Sequence, residues 1–525
     1  MERLETVQRE QQKKYTMGID IGTGGVRVGL FTMTGEAVAF STSEVRSYLP
    51  GPGMTEQEPQ DWWNALVEST HEALRKSGIA AEEICGAGIS STVSTLLMLD
   101  RDMEVIRPAL MWCDVRATEQ AELIAATGDP VLKYNGYGKV SAEWGLPKML
   151  WLKENEPGNW ARASRICECL DYMNYRLTGC LVSSINPITM RWHYDGRNGG
   201  WDAGFLKRIG LEDVKDKFPS TIMELGKPIG KGLTREAALA LGLYEGMPVG
   251  AGGCDALLAS IGLGITRPGR VAQTTGTSNL QFTLLEKEVH DPGLYGAFPD
   301  ITIPGYYGLE GGQTSSGGVI KWFLKNGFAD SCKQQAEAEG CSVLDILNRE
   351  AEGIPIGSEG LIMLEYLQGN RTPWVDSDVR GLLYGLSLKH TPAHIYRAIL
   401  EATCYGTALI LNVYKKYVGL EEICLSGGLT KSSLYLRILA DVTGLTLHIP
   451  RETEASCLGA AIVGAVAGGA YADLHAASNS MVQYQDTISP DAENHRNYQF
   501  YLKKYEEAYL LMKDWMHEVT AYALK

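Results

Sequence analysis

The sequence predicts an α/β protein made of two similarly built domains, and three observations support this prediction. Residues 15–36 (YTMGIDIGTGGVRVGLFTMTGE) and residues 270–285 (RVAQTTGTSNLQFTLL) each place a turn containing glycine and threonine between two strands of alternating apolar residues. Strand-like and helix-like segments alternate after each hairpin, which is typical of α/β architecture. The chain has 525 residues, which exceeds the length at which a single hydrophobic core keeps growing.

The first domain is predicted over residues 15–265, after a polar leader at residues 1–14. Apolar runs and apolar alternation predict strands at residues 16–20, 26–32, 84–90 and 94–99. Apolar residues spaced three and four positions apart predict helices at residues 60–76 and 118–127. A strand at residues 249–252 is then followed by Asp255 and a helix of small residues.

The second domain is predicted over residues 266–525. Its elements after the hairpin are an apolar turn region at 308–323, helices at 392–415, 432–443, 455–467 and 495–519, and strands at 422–426 and 445–449. A hairpin followed by strand-helix units therefore occurs twice in the chain. We expect the two domains to meet near residue 265 with a central cleft between them, because ligands usually bind in such clefts.

Composition and charge exclude several classes of protein. The 45% apolar and 21% charged residues are typical of a globular protein. The net charge of −15 argues against nucleic-acid and anionic-membrane binding, since both depend on positive surface. Eleven scattered cysteines indicate reduced core thiols, and no second pair accompanies Cys167 and Cys169 at zinc spacing. With no signal peptide and no apolar stretch long enough to span a bilayer, we expect a cytoplasmic protein.

The two hairpin turns carry the first functional hypothesis. Glycines let the backbone approach a polyanion, while amide groups and small hydroxyls are short donors for phosphate oxygens. Either turn alone is also explained as an ordinary hairpin connection. As a pair, each with a threonine and each followed by a strand, they resemble the two phosphate loops of the actin, hexokinase and Hsp70 ATPase superfamily. That resemblance implies two ribonuclease H-like domains that flank a cleft and hold one phosphate chain from two sides.

Longer segments resemble the FGGY carbohydrate kinases over nearly the whole chain after residue 15. Residues 381–401 (GLLYGLSLKHTPAHIYRAILE) match the C-terminal signature of that family throughout, and residues 146–154 (LPKMLWLKE) fit the N-terminal signature. Two positions depart from the family pattern: Gly145 stands where Pro, Ser or Thr is usual, and Gly25 replaces the commoner Ser. The resemblance implies a sugar kinase that uses ATP and Mg²⁺.

Within the family, the pentulose kinases are the most similar. Residues 140–151 (VSAEWGLPKMLW) and 368–380 (QGNRTPWVDSDVR) are similar to ribulokinase segments, and residues 310–313 (EGGQ) resemble a segment that contributes a substrate carboxylate there. The loop at residues 88–95 (GISSTVST) lacks the acid of ribulokinases and the Gln-Met-His of xylulokinases. The resemblance therefore favours ribulose or xylulose and leaves a tetrulose or polyol open. An ATP-driven conformational protein of the actin or Hsp70 type is the alternative from another class, which the C-terminal signature disfavours.

Two aspartates are the candidates for catalysis and metal binding. Asp255 follows a glycine-rich strand, where an aspartate can also serve as a helix N-cap. The resemblance makes it the catalytic base, which accepts the proton of a sugar hydroxyl, and a neighbour of the metal ion. Asp20 is either a buried acid of the first strand or, as the resemblance implies, a water-mediated partner of Mg²⁺.

The remaining site residues divide into a sugar set and a nucleotide set. Trp112, Asp114 and Arg116 combine an apolar face with two hydrogen-bonding ends, which suits a polyol, although an exposed ion pair beside a packed tryptophan is the alternative. The sugar-binding candidates are Val93, Trp112, Asp114, Arg116, Glu143, Arg191, Glu310 and Gln313. The nucleotide-binding candidates, in the two turns and in glycine-rich helix entries, are Gly22, Thr23, Gly24, Gly276, Thr277, Ser278, Gly317, Gly318, Gly427, Gly428, Leu429 and Ser432. The expected partner is a small sugar, and the resemblance is also compatible with a homodimer.

Overall fold

The structure is a computed structural model that describes residues 14–136 and 140–523. The predicted leader at residues 1–14 therefore lies outside the described residues except for Lys14. The strands are β1 Tyr15–Gly22, β2 Gly25–Thr32, β3 Ala37–Glu44, β4 Glu56–Gln57, β5 Ile84–Ser91, β6 Leu96–Leu99, β7 Ala109–Leu110, β8 Arg165–Glu168, β9 Ser183–Ser184, β10 Ile222–Met223, β11 Val249–Cys254, β12 Arg270–Thr275, β13 Asn279–Leu285, β14 Tyr295–Pro299, β15 Tyr307–Gln313, β16 Ile362–Leu364, β17 Leu382–Tyr384, β18 Glu422–Gly427, β19 Thr446–Pro450 and β20 Tyr484–Ile488.

Some helices, such as Pro59–Ser77, bury one apolar face, whereas others, such as Pro392–Tyr414, are buried over almost their whole surface. The α-helices are α1 Pro59–Ser77, α2 Thr118–Ala126, α3 Gly145–Asn155, α4 Pro157–Arg162, α5 Cys169–Thr178, α6 Ile185–Arg191, α7 Ala203–Arg208, α8 Arg235–Leu241, α9 Asp255–Gly262, α10 Gly317–Lys325, α11 Asp330–Glu339, α12 Val343–Glu352, α13 Pro392–Tyr414, α14 Ser433–Thr443, α15 Ala455–Ala467, α16 Leu474–Met481 and α17 Ala492–Ala523. Within the part of the chain that the structure describes, no helix is long and apolar enough to cross a membrane.

The chain forms two compact units. Unit 1 contains the described residues up to Arg267, together with Leu284–Leu309 and Glu454–Gln483. Unit 2 contains Pro268–Thr283, Glu310–Thr453 and the described residues from Tyr484 onward. The chain thus returns to unit 1 twice after residue 267. The division into residues 15–265 and 266–525 stays a prediction. It assigns the segments Leu284–Leu309 and Glu454–Gln483 to the second domain, whereas they cluster with unit 1.

Unit 1 is centred on a five-stranded mixed sheet in the order β11-β5-β1-β2-β3. Strands β1 and β2 form the first predicted hairpin, and β1, β5 and β11 run parallel. Helix α1 packs against β2 and β3, while α15 packs against β1 and β5. Apolar residues of β1 and β2, such as Ile19 and Val28, are buried in the resulting core. This arrangement brings the carboxyl ends of β1, β5 and β11 to the same edge of the sheet.

Unit 2 repeats this order of strands. Its strands lie in the order β15-β13-β12-β18-β19-β20 within a larger sheet. Strands β12 and β13 form the second hairpin, and β12, β18 and β19 run parallel. In both units a hairpin is therefore followed on one side by two parallel strands, as the sequence predicts. The predicted α/β class with two related domains is confirmed.

One predicted segment was wrong. Residues 308–323, taken as an apolar turn region, contain most of β15 and the first turns of α10. Two adjacent glycines, Gly311 and Gly312, interrupt the apolar alternation by which a strand is recognised. They are needed because the sheet is crowded there: a Cβ atom on Gly312 would lie 2.7 Å from the carbonyl oxygen of Asn279. The predicted strand at 94–99 also begins later, at Leu96, because Val93 and Ser94 form a turn.

Candidate active site

Two aspartates lie at the carboxyl edge of the unit 1 sheet. Asp20 is in β1 and is paired in register with Ser90 of the parallel strand β5. The Ser90 hydroxyl donates a hydrogen bond of 2.8 Å to Oδ1 of Asp20. Asp255 directly follows β11, the next parallel strand, and begins helix α9. The parallel strands thus bring together two acids that are 235 positions apart in the sequence.

The pKa of the Asp255 carboxyl group is raised towards neutral pH. Burial, and then the negative charge of Asp20, raise the pKa of Asp255 to about 7. Burial likewise raises the pKa of Asp20, while the Ser90 hydroxyl and the Arg27 guanidinium oppose that shift. Asp255 is not the N-cap of α9, since Cys254 occupies that position. Its Oδ1 accepts one hydrogen bond, from the amide of Ala256 at 2.7 Å.

The end of β11 is held by close backbone packing and by a buried amide. A Cβ atom on Gly252 would lie 1.8 Å from the carbonyl oxygen of Ile89, so only glycine allows β11 to approach β5 this closely. The fully buried side chain of Asn186, in α6, accepts from the Cys254 amide at 2.8 Å and donates to the Ile301 carbonyl at 2.7 Å. Asn186 therefore fixes the residue before Asp255.

The pair of acids fits a hard divalent cation. Asp20 and Asp255 are close enough for the charge of one to raise the pKa of the other, and oxygen ligands suit Mg²⁺. Among the described residues, no group of three or more His, Cys, Asp or Glu side chains could hold a metal ion. A cation at this pair would therefore take its other ligands from water or from a phosphate group.

The first predicted phosphate turn is connected to Trp112. The indole Nε1 of Trp112 donates to Oγ1 of Thr23 at 2.8 Å, which leaves the threonine hydroxyl hydrogen free to be donated elsewhere. Gly24 is exposed, and a Cβ atom on it would meet nothing within 4 Å. Neither Gly22 nor Gly24 has a positive φ angle. Glycine is therefore not required here for a left-handed backbone conformation. It leaves the backbone of the turn accessible to a ligand.

Asp114 and Arg116 form a buried ion pair, not the exposed pair that the sequence left as an alternative. The guanidinium Nη2 of Arg116 donates to Asp114 Oδ2 at 2.8 Å, and to Glu56 Oε1 at 2.8 Å. Asp114 Oδ2 also accepts from the amide of Thr55 at 2.7 Å. Asp114 is fully buried and its carboxylate oxygens are already hydrogen bonded. The structure thus places Asp114 where it orients Arg116.

A buried lysine ties two predicted sugar-binding segments together. Lys148 of α3 is fully buried, and its ammonium donates to the carbonyls of Ser94, Met111 and Trp112 at 3.0, 2.6 and 3.1 Å. Burial lowers the pKa of Lys148 to about 8. Ser94 adopts a φ of 64° in the turn that also contains Val93. Lys148 therefore holds the Val93 turn against the segment of Trp112.

The other sugar candidates of unit 1 lie around α3 and α6. Glu143 precedes α3, and its Oε2 accepts from the Ser141 hydroxyl at 3.4 Å. Arg191 is the last residue of α6, and its guanidinium lies 5.2 Å from the ring centre of Trp144. Both side chains are partly buried.

In unit 2 the predicted nucleotide residues come together at the carboxyl edge of the sheet. Gly276, Thr277 and Ser278 are exposed in the turn between β12 and β13. The amides of Gly317 and Gly318, at the start of α10, donate to the carbonyls of Gly276 and Thr277 at 3.1 and 3.0 Å. These two amides therefore fix the turn and are not free for a ligand. A Cβ atom on Gly317 would lie 2.4 Å from the Gly276 carbonyl oxygen.

The turn after β18 lies next to the turn between β12 and β13. Thr275 and Gly427 are paired in register in the parallel strands β12 and β18. Gly427 has a φ of 99°, and a Cβ atom there would lie 1.9 Å from the Thr275 carbonyl oxygen. The Leu429 amide donates to Thr275 Oγ1 at 3.3 Å, while Gly428 is exposed with open space around it. Ser432 is the N-cap of α14, accepting from the Tyr435 amide at 3.2 Å.

Glu310 and Gln313 both lie buried in β15. The Gln313 side-chain amide donates to Glu365 Oε1 at 2.9 Å and to the Thr403 carbonyl at 3.0 Å. Its oxygen accepts from Asn279 Nδ2 at 3.1 Å and from the Thr407 hydroxyl at 3.0 Å. The hydrogen-bonding capacity of Gln313 is thus used within unit 2.

Comparison with known proteins identifies the family of this chain. The model of the N-terminal domain of the FGGY family of carbohydrate kinases matches residues 15–262, and the model of the C-terminal domain matches residues 271–468. The chain belongs to the FGGY family of carbohydrate kinases. It is therefore a sugar kinase, and the alternative of an ATP-driven conformational protein of the actin or Hsp70 type is set aside.

Individual relatives of this FGGY kinase extend over almost its whole length. An FGGY carbohydrate kinase domain-containing protein of Xenopus laevis is 32% identical over 95% of the chain and 96% of the relative. A ribulokinase of Geobacillus thermodenitrificans is 30% identical over 94% of the chain and 93% of the relative. The crystal structure of xylulose kinase from Rhodospirillum rubrum superposes with a TM-score of 0.85 at 25% identity, covering 96% of this chain and 100% of that one.

Two residues of this kinase that shape the site were missed by the sequence interpretation. Asn186 looks like any asparagine at a helix entry, and its partners at residues 254 and 301 are far away in the chain. Lys148 falls within the N-terminal signature, and a lysine between apolar residues of a helix is a usable signal for a buried, carbonyl-bound ammonium. That signal gives no indication of which carbonyls are bound.

Proposed function

We propose that this carbohydrate kinase transfers the γ-phosphoryl group of ATP to a hydroxyl of a ketose, most closely a pentulose such as ribulose or xylulose. The observation that carries the reaction is the Asp20 and Asp255 pair at the ends of parallel strands, with an Asp255 pKa of about 7. The choice of a pentulose rests on ribulokinase relatives that are 30% identical over 94% of the chain.

Asp255 acts as the general base. Its carboxylate accepts the proton of the attacking sugar hydroxyl while the oxygen forms a bond to the γ-phosphorus. The bond from that phosphorus to the bridging oxygen breaks, and ADP leaves with the electron pair. A pKa near 7 suits this task, because about half of the groups are ionised at neutral pH and the carboxylate is basic enough to take the proton.

The two hydroxyl-bearing turns would bind the phosphate chain. Thr23 presents a hydroxyl whose oxygen already accepts from Trp112, so its hydrogen is available for donation to a phosphate oxygen. Thr277 and Ser278 offer exposed hydroxyls on a turn fixed by Gly317 and Gly318. Mg²⁺, when bound beside Asp20 and Asp255, would neutralise phosphate charge as it develops.

Arg116 and Glu310 are the proposed polar contacts to the sugar. Asp114 and Glu56 hold the guanidinium of Arg116 through its Nε and Nη2 donors, so we assign Asp114 a positioning role and propose Nη1 of Arg116 as the donor to a sugar hydroxyl. Gln313 is likewise a positioning residue, within the strand that carries Glu310.

A tetrulose or polyol is the second candidate substrate. The observation that favours it is the loop at residues 88–95, which departs from both pentulose kinase patterns. Fully buried Lys148 holds the Val93 turn of this loop, so its shape is fixed and contributes to substrate selection.

A coupled assay for ADP release tests this proposal. The purified protein is supplied with ATP and Mg²⁺, first without sugar and then with each of a panel of pentuloses, tetruloses and polyols. We expect turnover that depends on sugar and is fastest with a pentulose, and a phosphorylated sugar among the products. ADP release at the same rate with and without every sugar would contradict the proposal.

A further inference from the structure

Trp112 connects the loop at residues 88–95 with the first predicted phosphate turn. Its backbone amide donates to Oγ1 of Thr95 at 3.2 Å, and its carbonyl accepts from the Lys148 ammonium at 3.1 Å. Its indole Nε1 donates to Oγ1 of Thr23 at 2.8 Å. Trp112 is therefore bonded to the proposed sugar loop through its amide and to the phosphate turn through its side chain.

The loop end of this connection is held firmly. Thr95 is fully buried, its amide donates to Oε2 of Glu168 at 3.1 Å, and its carbonyl accepts from the Cys169 amide at 2.9 Å. The hydroxyls of Thr95 and Thr92 share a further hydrogen bond of 2.8 Å. The backbone of Trp112 is thus attached to a fixed point, and its side chain extends from there to the phosphate turn.

At the turn end, the backbone of Thr23 is fixed, whereas the direction of its hydroxyl depends on Trp112. The fully buried side chain of Gln57 donates to the Thr23 carbonyl at 2.7 Å and accepts from the Trp62 indole at 2.7 Å. Among the residues that the structure describes, Trp112 is the one hydrogen-bonding partner of the Thr23 hydroxyl. Since the oxygen of that hydroxyl accepts from the indole, the position of the indole limits where the hydroxyl hydrogen can point.

The ring of Trp112 is open to a ligand. Trp112 is 39% exposed, whereas its backbone partners Thr95 and Lys148 are fully buried. A tryptophan side chain has an apolar face and one N–H at its edge, so it can pack against the C–H groups of a neutral sugar while the N–H keeps its hydrogen bond. A ligand on this face restricts the motion of the ring. Because the first ligand then meets the cost of ordering the ring, a second ligand that needs the same order binds more tightly.

We propose that Trp112 couples sugar binding to phosphate binding, in addition to contacting the sugar. A sugar packed on the indole face fixes the Nε1 donor, and this donor fixes the Thr23 hydroxyl with its hydrogen directed to an oxygen of the ATP phosphate chain. The coupling rests on the proposed function, since it takes the sugar to bind at Trp112 and the phosphate chain at Thr23. Linkage requires the effect to be reciprocal, so ATP tightens sugar binding by the same factor.

Calorimetry tests the coupling with a non-hydrolysable ATP analogue and Mg²⁺, titrated with and without a saturating amount of the sugar that gives the best turnover. We expect the sugar to tighten analogue binding by at least about fivefold in the wild type, and by less than about twofold in Trp112→Phe, which keeps an aromatic face and lacks the N–H. Trp201→Phe is the matched control, because the Trp201 indole also donates a hydrogen bond in unit 1, to the Trp192 carbonyl at 3.0 Å. The factor for this control should equal that of the wild type, and thermal unfolding establishes that both variants fold.

Variants of Thr23 test the same hydrogen bond from its other end. Thr23→Val removes the acceptor and should lower the factor as Trp112→Phe does, whereas Thr23→Ser keeps the hydroxyl and should keep the factor. When Thr23→Val and Trp112→Phe are combined, the factor should fall no further than in either single variant, because both changes remove one shared interaction.

The possible results separate the coupling from the kinase activity. An unchanged factor in folded Trp112→Phe, a wild type without coupling, or losses that add in the double variant would each overturn the coupling role of Trp112 and leave the proposed activity in place. If no sugar of the panel supports turnover, the proposed function and the coupling are both overturned.

Discussion

At the scale of single residues, the surroundings of Asp255 lead to the first prediction. Asp255→Asn keeps the size of the side chain and the acceptor for the Ala256 amide, so folding and nucleotide binding should remain. The amide cannot take a proton from the sugar, and kcat should fall by roughly two to four orders of magnitude. Steady-state kinetics on the best sugar measures this. Retention of more than about half of the wild-type kcat would rule out the base assignment.

A matched control separates the chemical role of Asp255 from its hydrogen bond to an amide at a helix start. Asp473 also stands at a helix start in unit 1, where it accepts from the Ala476 amide at 2.7 Å. Asp473→Asn should therefore change kcat very little.

Lys148 carries the second prediction at this scale. Lys148→Met leaves the carbonyls of Ser94, Met111 and Trp112 without their shared donor, which costs about 1–3 kcal/mol for each carbonyl left unpaired. We expect a lower free energy of unfolding and a higher KM for the sugar, since the Val93 turn loses its anchor. Denaturant unfolding and sugar kinetics measure the two effects. Lys207→Met, at an exposed position of α7, is the control. If the two variants show equal changes in the free energy of unfolding and in the KM for the sugar, Lys148 does not anchor the Val93 turn.

Glu365 gives a prediction about pH. Burial raises the pKa of Glu365 to about 7, above its ordinary value of 4.5, while hydrogen bonds from Gln313 and Tyr505 oppose the shift. The folded state therefore holds this proton more tightly than the unfolded state does. The stability gained from Glu365 is complete below pH 4.5 and is lost as the pH rises through 7, by up to about 3 kcal/mol.

Glu365→Gln removes this titration while keeping hydrogen-bonding atoms for Gln313 and Tyr505. The free energy of unfolding of this variant is measured at several pH values. As the pH rises from 5 to 8, the wild type should lose stability relative to the variant. Glu122→Gln changes an exposed position of α2, and its free energy of unfolding should change with pH in the same way as that of the wild type. If the free energies of unfolding of Glu365→Gln and the wild type differ by the same amount at every pH, the raised pKa of Glu365 is contradicted.

The sequence indicated most of the site residues but not their hydrogen-bond partners. Asp255 and Asp20 follow recognisable glycine-rich strands, so they could be picked out from the chain alone. Asp114 and Gln313 could be picked out too, yet their oxygens are used by Thr55, Asn279 and Thr407, which are distant in the sequence. A partner supplied by tertiary folding leaves no local pattern.

At the scale of elements, the turn between β12 and β13 carries a prediction about nucleotide binding. A Cβ atom on Gly276 would meet only the Ser278 carbonyl oxygen, at 3.6 Å, and Gly276 has no positive φ. Gly276→Val should therefore fold, while its branched side chain blocks the approach of a phosphate to the backbone. Calorimetry should show weaker ATP binding and unchanged sugar binding.

The chain offers a matched control for this variant. Gly419 lies in a loop with open space around it, so Gly419→Val adds the same side chain away from the proposed site. Unchanged ATP affinity in a folded Gly276→Val protein would remove the turn from the phosphate site.

Elements with strong periodicity were predicted well, and the errors have a common cause. Helix α13 was expected at 392–415 and is found at Pro392–Tyr414, because its apolar period is long and uninterrupted. Strand β15 was missed because Gly311 and Gly312 stand where its side chains would alternate. A side chain at either glycine would clash with neighbouring atoms, and those neighbours are brought close only when the sheet folds.

At the scale of the whole molecule, the repeated strand order explains why two hairpin turns were informative. In each unit the hairpin is followed by parallel strands, so the turn and the later strand ends reach one edge of the sheet. In unit 1 that edge carries Asp20 and Asp255, and in unit 2 it carries the Gly276 and Gly427 turns. The repeat predicts the fold class and the binding of a phosphate chain, whereas the reaction and the sugar depend on side chains and loops that the repeat does not specify.

The most direct test of the proposed activity is the ranking of kcat/KM across sugars. Ribulose or xylulose should give the highest value, and each should exceed its deoxy analogue by roughly ten- to a hundredfold, because buried groups that bind a hydroxyl are left unpaired by an analogue lacking it. Glu310→Gln should narrow that difference if Glu310 is one of those groups. Highest turnover with a sugar acid, or with glycerol and no ketose, would contradict the assignment of a pentulose substrate.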